Sequence, residues 1–303
     1  LNRLYVDTET TSSMPIDRGL ANYWDPTADT DLYCIAHKLD DGPIHIWRAQ
    51  TPEGVPDPIP AGLLYHISTG ALVIAHKAEF EHYAFRRFFQ KYIGAPGWEI
   101  PLTQMRCTMA KAAAHALPLS LGKLSLALGF PQGKDTAGQK AMKVLCKPNP
   151  KTGQHWKYHE APQLFEDLYR YCIHDVQLEY DIDQMLADLP DEEQAIWVLD
   201  QQINRRGIGV DRRAVAAAYQ ICTAEIERLD QEIVQVSEGQ VDSTKAVLQI
   251  ARFCGVDTVK KDMLEKFLEG DVQGLELTPA QRRVLEIRQE AAKSSVLKLK
   301  PML

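Results

Sequence analysis

Tyr5-Val6-Asp7-Thr8-Glu9-Thr10 is the stretch around which the rest of the chain is organised. Leu4, Tyr5 and Val6 are apolar and favour a strand, and they run directly into Asp7 and Glu9 among the hydroxyls of Thr8, Thr10 and Thr11. Side chains of a strand repeat every second residue, so a short buried strand ending in Asp-x-Glu puts both carboxylates on one side of the backbone. Two acids that close repel each other and need a compensating charge, for which a divalent cation with oxygen ligands is the usual solution. Taken alone, the same residues also read as a solvated exit from a strand into a turn. The decision lies with partners elsewhere in the sequence.

The chain has 303 residues, 45% of them hydrophobic and 25% charged, enough for one large or two ordinary domains. No apolar run approaches the ~20 residues needed to span a bilayer, and neither a signal peptide nor membrane association is expected. The six cysteines are scattered without a Cys-x-x-Cys pair, which argues against zinc and against a disulfide framework and for a reducing, cytoplasmic setting. Leu1 stands almost on the first strand and Leu303 directly follows a helical stretch, so a piece of something longer is expected. Net charge is −7, yet residues 134–157 carry six lysines (134, 140, 143, 147, 151, 157) against one acid, Asp135. Arg282, Arg283, Arg288, Lys293, Lys298 and Lys300 form a second basic zone. Each run reads as an ordinary solvated face, and the two together are compatible with phosphate contacts.

After the first strand, residues 11–31 are polar and irregular. Strands are expected at 32–39 and 44–47, joined at Asp41-Gly42-Pro43, and a short helix at 60–69. Ala71 to Ala75 is a continuous apolar run suited to a central strand buried on both faces. Helices are predicted at 79–92, 104–115 and 120–128, the last with Ser120 as N-cap and Gly129 as its stop, then a lysine-rich connection and a long helix over 162–189. Beyond Pro190 only helical patterns remain, at 191–206, 211–237, 243–254, 261–268 and 279–299. The expected fold is therefore α/β, a mixed sheet flanked by helices over 1–189, followed by an all-α segment over 190–303.

Two further stretches carry acids. His76-Lys77-Ala78-Glu79-Phe80-Glu81 follows the central strand into a helix, at the kind of strand end where open α/β sheets place ligands. Glu79 and Glu81 read equally as first-turn acids favoured by the helix dipole. In Tyr171-Cys172-Ile173-His174-Asp175, the tyrosine and the aspartate share one helical face. Together the three stretches closely resemble the motifs of the 3′–5′ exonucleases that carry four acids and a tyrosine (the DEDDy class): Asp7-x-Glu9, Lys77-x-x-Phe80-Glu81 and Tyr171-x-x-x-Asp175, in that order. Two positions depart from the pattern. The second motif usually begins with asparagine and ends with aspartate, where this chain has Lys77 and Glu81. Further on, Leu199-Asp200-Gln201, Asn204, Arg206-Gly207-Ile208 and Val210-Asp211 resemble the joint between exonuclease and polymerase parts in family A DNA polymerases. Val284 to Ser295 resembles their thumb, in phage-type members above all.

The resemblance implies a ribonuclease H-like exonuclease domain followed by a helical linker and thumb-like segment, with palm and fingers expected beyond residue 303. It implies proofreading hydrolysis of a 3′-terminal phosphodiester with two Mg²⁺ or Mn²⁺ ions about 3.5–4 Å apart. By the same resemblance Asp7 would bridge the ions, Glu9 and Asp175 complete the first, and Glu81 hold the second through water. Tyr171 would orient the attacking water, and Thr8, Thr10, Lys77 and Phe80 would meet the substrate. The implied partner is DNA with a single-stranded or frayed 3′ end, the implied setting a bacterial or phage-infected cell, and a monomer is expected. Two competing readings are a nucleic-acid clamp silenced by Lys77 and an RNA-trimming enzyme of the same class. The thumb-like segment argues for DNA over RNA. Lys77 and Glu81, at i and i+4, pair if the helix starts early; the alternative is a Lys77 that points outward and holds a substrate phosphate.

Overall fold

The computed structural model describes residues 1–130, 135–292 and 298–302. Lys134, Lys293 and the Ser294-Ser295 end of the thumb-like stretch lie outside the described residues. Contacts divide the chain into two compact units, Leu1–Gly207 and Ile208–Leu303.

The first unit is built on a five-stranded sheet of order β3-β2-β1-β4-β5. Its strands are β1 (Arg3–Thr11), β2 (Asp31–Leu39), β3 (Ile44–Arg48), β4 (Leu72–Ala75) and β5 (Met105–Cys107). β1 lies at the centre, antiparallel to β2 and parallel to β4, while β2–β3 is antiparallel and β4–β5 parallel. The sheet is thus mixed, as the sequence pattern predicts. The first strand is longer than expected: it runs on through both acids to Thr11, because β2 pairs with it from Leu4 to Thr11. A register shift falls between Glu9 and Thr10, where β2 carries the extra residue. β5 is a strand where a helix is predicted. Three residues, Met105-Arg106-Cys107, are too few to show a period of two, and pairing with β4 alone makes them a strand.

The helices of this unit are α1 (Leu20–Tyr23), α2 (Ala61–Ser68), α3 (Ala78–Phe88), α4 (Thr108–Ala114), α5 (Leu121–Ala127), α6 (Thr136–Leu145), α7 (Pro162–Met185) and α8 (Asp191–Arg206). α6 falls inside the stretch read as a lysine-rich connection. It is opened by Asp135, whose carboxylate accepts from the N–H groups of Ala137 and Gly138. Proline at the first position starts α7, since its missing N–H is unneeded there. Ser120 stands at the N-cap of α5 but makes no side-chain capping bond.

Strand alternation sorts the core into two layers. Leu4, Val6, Ile35, Trp47, Val73 and Met105 face one cluster with Leu63, Ile67, Phe85 and Phe88 from α2 and α3. Tyr5, Tyr33, Ala36 and Ile74 face the other, with Ala141 and Leu145 of α6 and Phe165, Leu168, Cys172 and Val176 of α7. Each large side chain fully buried in these layers contributes about 1.5–3 kcal/mol. Since Tyr5 points toward α7, Asp7 and Glu9 do so as well, whereas Thr8 and Thr10 point to the α3 side.

The second unit contains α9 (Arg212–Val236), α10 (Val247–Cys254), α11 (Lys261–Glu269) and α12 (Pro279–Ala291). Leu229, Ile233, Ile250, Leu264, Phe267, Val284, Leu285 and Ile287 form its own core. Asp211 and Thr278 cap α9 and α12 through their side chains. All six cysteines are free thiols. Among the described residues no helix is long and apolar enough to cross a membrane.

Candidate active site

Beside the carboxyl ends of β1 and β4 opens a cavity of about 810 Å³. Asp7, Thr8, Glu9 and Thr10 of β1 line it, with Lys77, Phe80 and Glu81 from the start of α3 and Tyr171 and Asp175 from α7. Every residue singled out from the three motifs therefore comes to one cavity, although the motifs lie up to about 160 positions apart. Glu79 does not line it; α3 begins at Ala78, which turns Glu81 and Phe80 inward and leaves Glu79 half-buried elsewhere.

The acids are held under electrostatic stress. Burial, and then the charge of Asp175, pushes the Asp7 carboxyl well above the usual carboxylate range. Burial and then Asp7 do the same to Glu9 and to Glu81. One oxygen of Asp7 and one of Glu81 are buried without any hydrogen-bond partner, as is the Thr8 hydroxyl. An orphaned buried carboxylate oxygen is costly and calls for an explanation, and a cation drawn to several such oxygens supplies one. An oxygen-only donor set of this kind suits a hard divalent ion such as Mg²⁺ or Mn²⁺. Among the described residues no three His, Cys, Asp or Glu side chains form a ready-made cage for one ion. Mg²⁺ typically binds in such open sites, through one or two carboxylates with water and substrate oxygens completing its shell.

Tyr171 sits one helical turn before Asp175. Burial, with the charges of Asp175, Glu9 and Asp7, raises its phenol far above the ordinary tyrosine range, so the hydroxyl keeps its proton at neutral pH. On the opposite side, Thr10 and Tyr23 share a 2.7 Å hydrogen bond, and Phe80 packs on Tyr23 and Trp24 with ring centroids 6.0 and 5.4 Å apart.

Lys77 lies at the rim, exposed, and makes no ion pair with Glu81. The reason is the helix start. Lys77 is the residue before α3, in the left-handed region at φ 64°, ψ 50°, so the pair is not on consecutive turns of one helix. Few residues adopt this conformation easily; asparagine does so better than lysine.

Two site residues escape the motif reading. His76 lines the cavity, with Nε2 donating to the Leu119 carbonyl at 2.8 Å and Nδ1 2.9 Å from the Thr108 hydroxyl. A carbonyl can only accept, so Nε2 carries the proton and Nδ1 accepts from Thr108; burial lowers the ring's pKa and keeps it neutral. Glu179 is fully buried behind the cavity. One of its oxygens accepts the His76 backbone N–H at 2.9 Å and the other has no partner. Burial, then Asp7, pushes its carboxyl well above the usual range. Its signal in the sequence is the spacing of four from Asp175, which places it on the same face of α7.

The architecture is thus a mixed α/β sheet whose central strand feeds an acidic cavity closed by two helices. No family model matches the chain. It is similar to the DNA polymerase of Bacillus phage SP02, with 26% identity over 309 aligned positions, 98% of this chain and 45% of that protein. The resemblance to a phage-type DNA polymerase drawn from the motifs is therefore shown over nearly the whole chain, which spans somewhat less than half the length of this curated relative.

Proposed function

We propose that the chain is the 3′–5′ exonuclease part, with an adjoining helical segment, of a DNA polymerase, and that it removes 3′-terminal nucleotides from DNA during replication. The observation that carries this reading is the meeting of Asp7, Glu9, Glu81, Asp175 and Tyr171 in one cavity, with unpartnered buried oxygens on Asp7 and Glu81. Asp7, Glu9, Glu81 and Asp175 would hold Mg²⁺ or Mn²⁺, which when bound neutralises phosphate charge and makes water more acidic. The chain's own residues do the rest. Tyr171, protonated, orients the attacking water through its hydroxyl and does not act as the base. Phe80, packed on Tyr23 and Trp24, offers a ring face to the terminal base, and Thr8 and Thr10 stand beside it. Lys77, free of Glu81 and at the rim, meets a phosphate. The likeness to a phage DNA polymerase supports DNA as the partner.

The test is cleavage of labelled single-stranded DNA by the purified chain with Mg²⁺ or Mn²⁺ and with EDTA. Shortening from the 3′ end that EDTA stops is expected; an inert chain with either metal would leave the DNA-clamp reading in its place. Tyr171→Phe is expected to slow cleavage on the order of 100-fold while leaving metal affinity nearly unchanged, since only the water-orienting hydroxyl is lost. Equal rates for the variant and the unsubstituted chain would reduce Tyr171 to a packing residue.

Lys77→Asn has two expected effects that run in opposite senses. Relief of the left-handed lysine should raise stability by about 1 kcal/mol. Loss of a phosphate contact should weaken DNA binding and reduce the slope of log affinity against log salt by about 1. The Mg²⁺ concentration for half-maximal cleavage should not move, because Lys77 does not compete for Glu81. A fall in that concentration would show that the two residues pair in solution.

A further inference from the structure

Gly138 is buried in the first turn of α6, where glycine is a poor helix former and nothing in its own backbone conformation calls for it. The reason for it lies across the helix interface. A Cβ built there would fall 2.4 Å from the Cβ of Tyr171, 2.7 Å from its Cδ2 and 2.8 Å from Asp135 Oδ2. All three are closer than any real non-bonded contact, and the first is to an atom fixed to the α7 backbone, which no rotamer change can move. α6 is capped at its own start and tied to the β1 side at its end. Asp135 Oδ1 accepts from Ala137 and Gly138 N–H at 3.0 and 3.1 Å, and the Cys146 carbonyl accepts from the N–H of Ser12, just past β1, at 3.1 Å. Four and eight residues beyond Gly138, on the same helical face, Met142 and Cys146 line the cavity.

We infer that Gly138 is a positioning residue for Tyr171: the missing side chain lets α6 close directly on the tyrosine, which sets the phenol against the acids and registers the Met142–Cys146 wall of the cavity on it. The inference deepens the exonuclease reading and rests on it for the kinetic part of its test. Any side chain at 138 must push α6 away from α7 or swing Tyr171 off its place by about 1 Å, a displacement that costs up to about 100-fold in rate when it falls on a group oriented for reaction.

The experiment is a pair of double-mutant cycles on the full chain. In the kinetic cycle, Gly138→Ala should lower kcat for single-stranded DNA by about 10- to 100-fold, with a much smaller change in KM. In a Tyr171→Phe background, where the hydroxyl is already gone, the same substitution should cost less than about 3-fold. Equal costs in both backgrounds, or none in either, would overturn the assignment. In the thermal cycle, Gly138→Ala should lower the melting temperature of the otherwise unsubstituted chain but leave unchanged or raise that of a Tyr171→Gly variant, which lacks the obstructing Cβ. A fall of the same size in both backgrounds overturns the contact itself. If the unsubstituted chain does not cleave DNA at all, the exonuclease reading fails, and the thermal cycle still decides whether Gly138 seats Tyr171.

Discussion

Asp7→Ala is expected to abolish DNA cleavage, by at least about 1000-fold, and at the same time to leave the protein no less stable in EDTA than before. The two expectations have one cause. Asp7 lies mid-strand in β1, its backbone held in register opposite Ala36 by pairing that the substitution leaves intact. Its carboxylate stands among Glu9, Glu81, Asp175 and Glu179, with one oxygen buried and unpartnered. Without a cation this arrangement is a net burden on the fold, since an unmet buried polar group costs about 1–3 kcal/mol and like charges add to it. Removing the carboxylate lifts that burden and, on the proposed reading, takes away the acid that would hold the cation. Melting the unsubstituted chain and the variant in EDTA and in Mg²⁺ separates the effects. Mg²⁺ should raise the melting temperature of the unsubstituted chain clearly and that of Asp7→Ala much less. A variant that still cleaves, or that unfolds in EDTA where the unsubstituted chain does not, removes Asp7 from the centre of the site.

The parts of this site that were legible in the sequence are those whose geometry is local. Asp7 and Glu9 share a face because strands repeat every two residues, and Tyr171 and Asp175 share one because helices nearly repeat every four; neither needs knowledge of the fold. That three such pieces meet was legible only through their order and their likeness to a known set. Features set by contact between distant elements were not legible. Gly138 reads as a flaw in a weak helix, and the lysines around it hide the pattern of α6, until α7 is seen against it. Glu179 reads as a polar residue on a long helix, because nothing local shows that β4 ends beside it and hands it the His76 N–H. Whether Lys77 pairs with Glu81 was open for a similar reason: it depends on where α3 starts, and a left-handed residue at 77 is a backbone decision that side-chain pattern does not announce.

Asp183→Asn, isosteric but uncharged, is expected to destabilise the first unit by about 3–5 kcal/mol, more than any other polar substitution away from the cavity. Asp183 lies two turns beyond Asp175 on α7, with its side chain 1% exposed. It accepts from Arg3 Nε and from the Tyr5 hydroxyl, each at 2.9 Å, and pairs with the buried ammonium of Lys111 on α4. Asp188, held by Arg3 and Lys111, completes a neutral set of two cations and two anions. Arg3, and after it Lys111, holds the Asp188 carboxyl below the usual range, so its contribution is complete at neutral pH and is lost only as pH falls through that depressed value. The set ties the first residues of β1 to the last turn of α7, the two elements that carry four of the five motif side chains to the cavity. Removing the charge of Asp183 leaves Lys111 buried beside a single, half-exposed anion. Lys111→Met should cost less, because Asp183 keeps Arg3 and Tyr5. The double variant Lys111→Met/Asp183→Asn restores neutrality around Arg3 and Asp188 and still offers Tyr5 an acceptor, so it should be more stable than Asp183→Asn alone. All five tryptophans lie at or before Trp197, so urea unfolding followed by tryptophan fluorescence reports the first unit by itself. Additive losses in the double variant, or a loss below about 1 kcal/mol for Asp183→Asn, would mean that water reaches the cluster and that the clamp is a surface ion pair of the ordinary, weak kind.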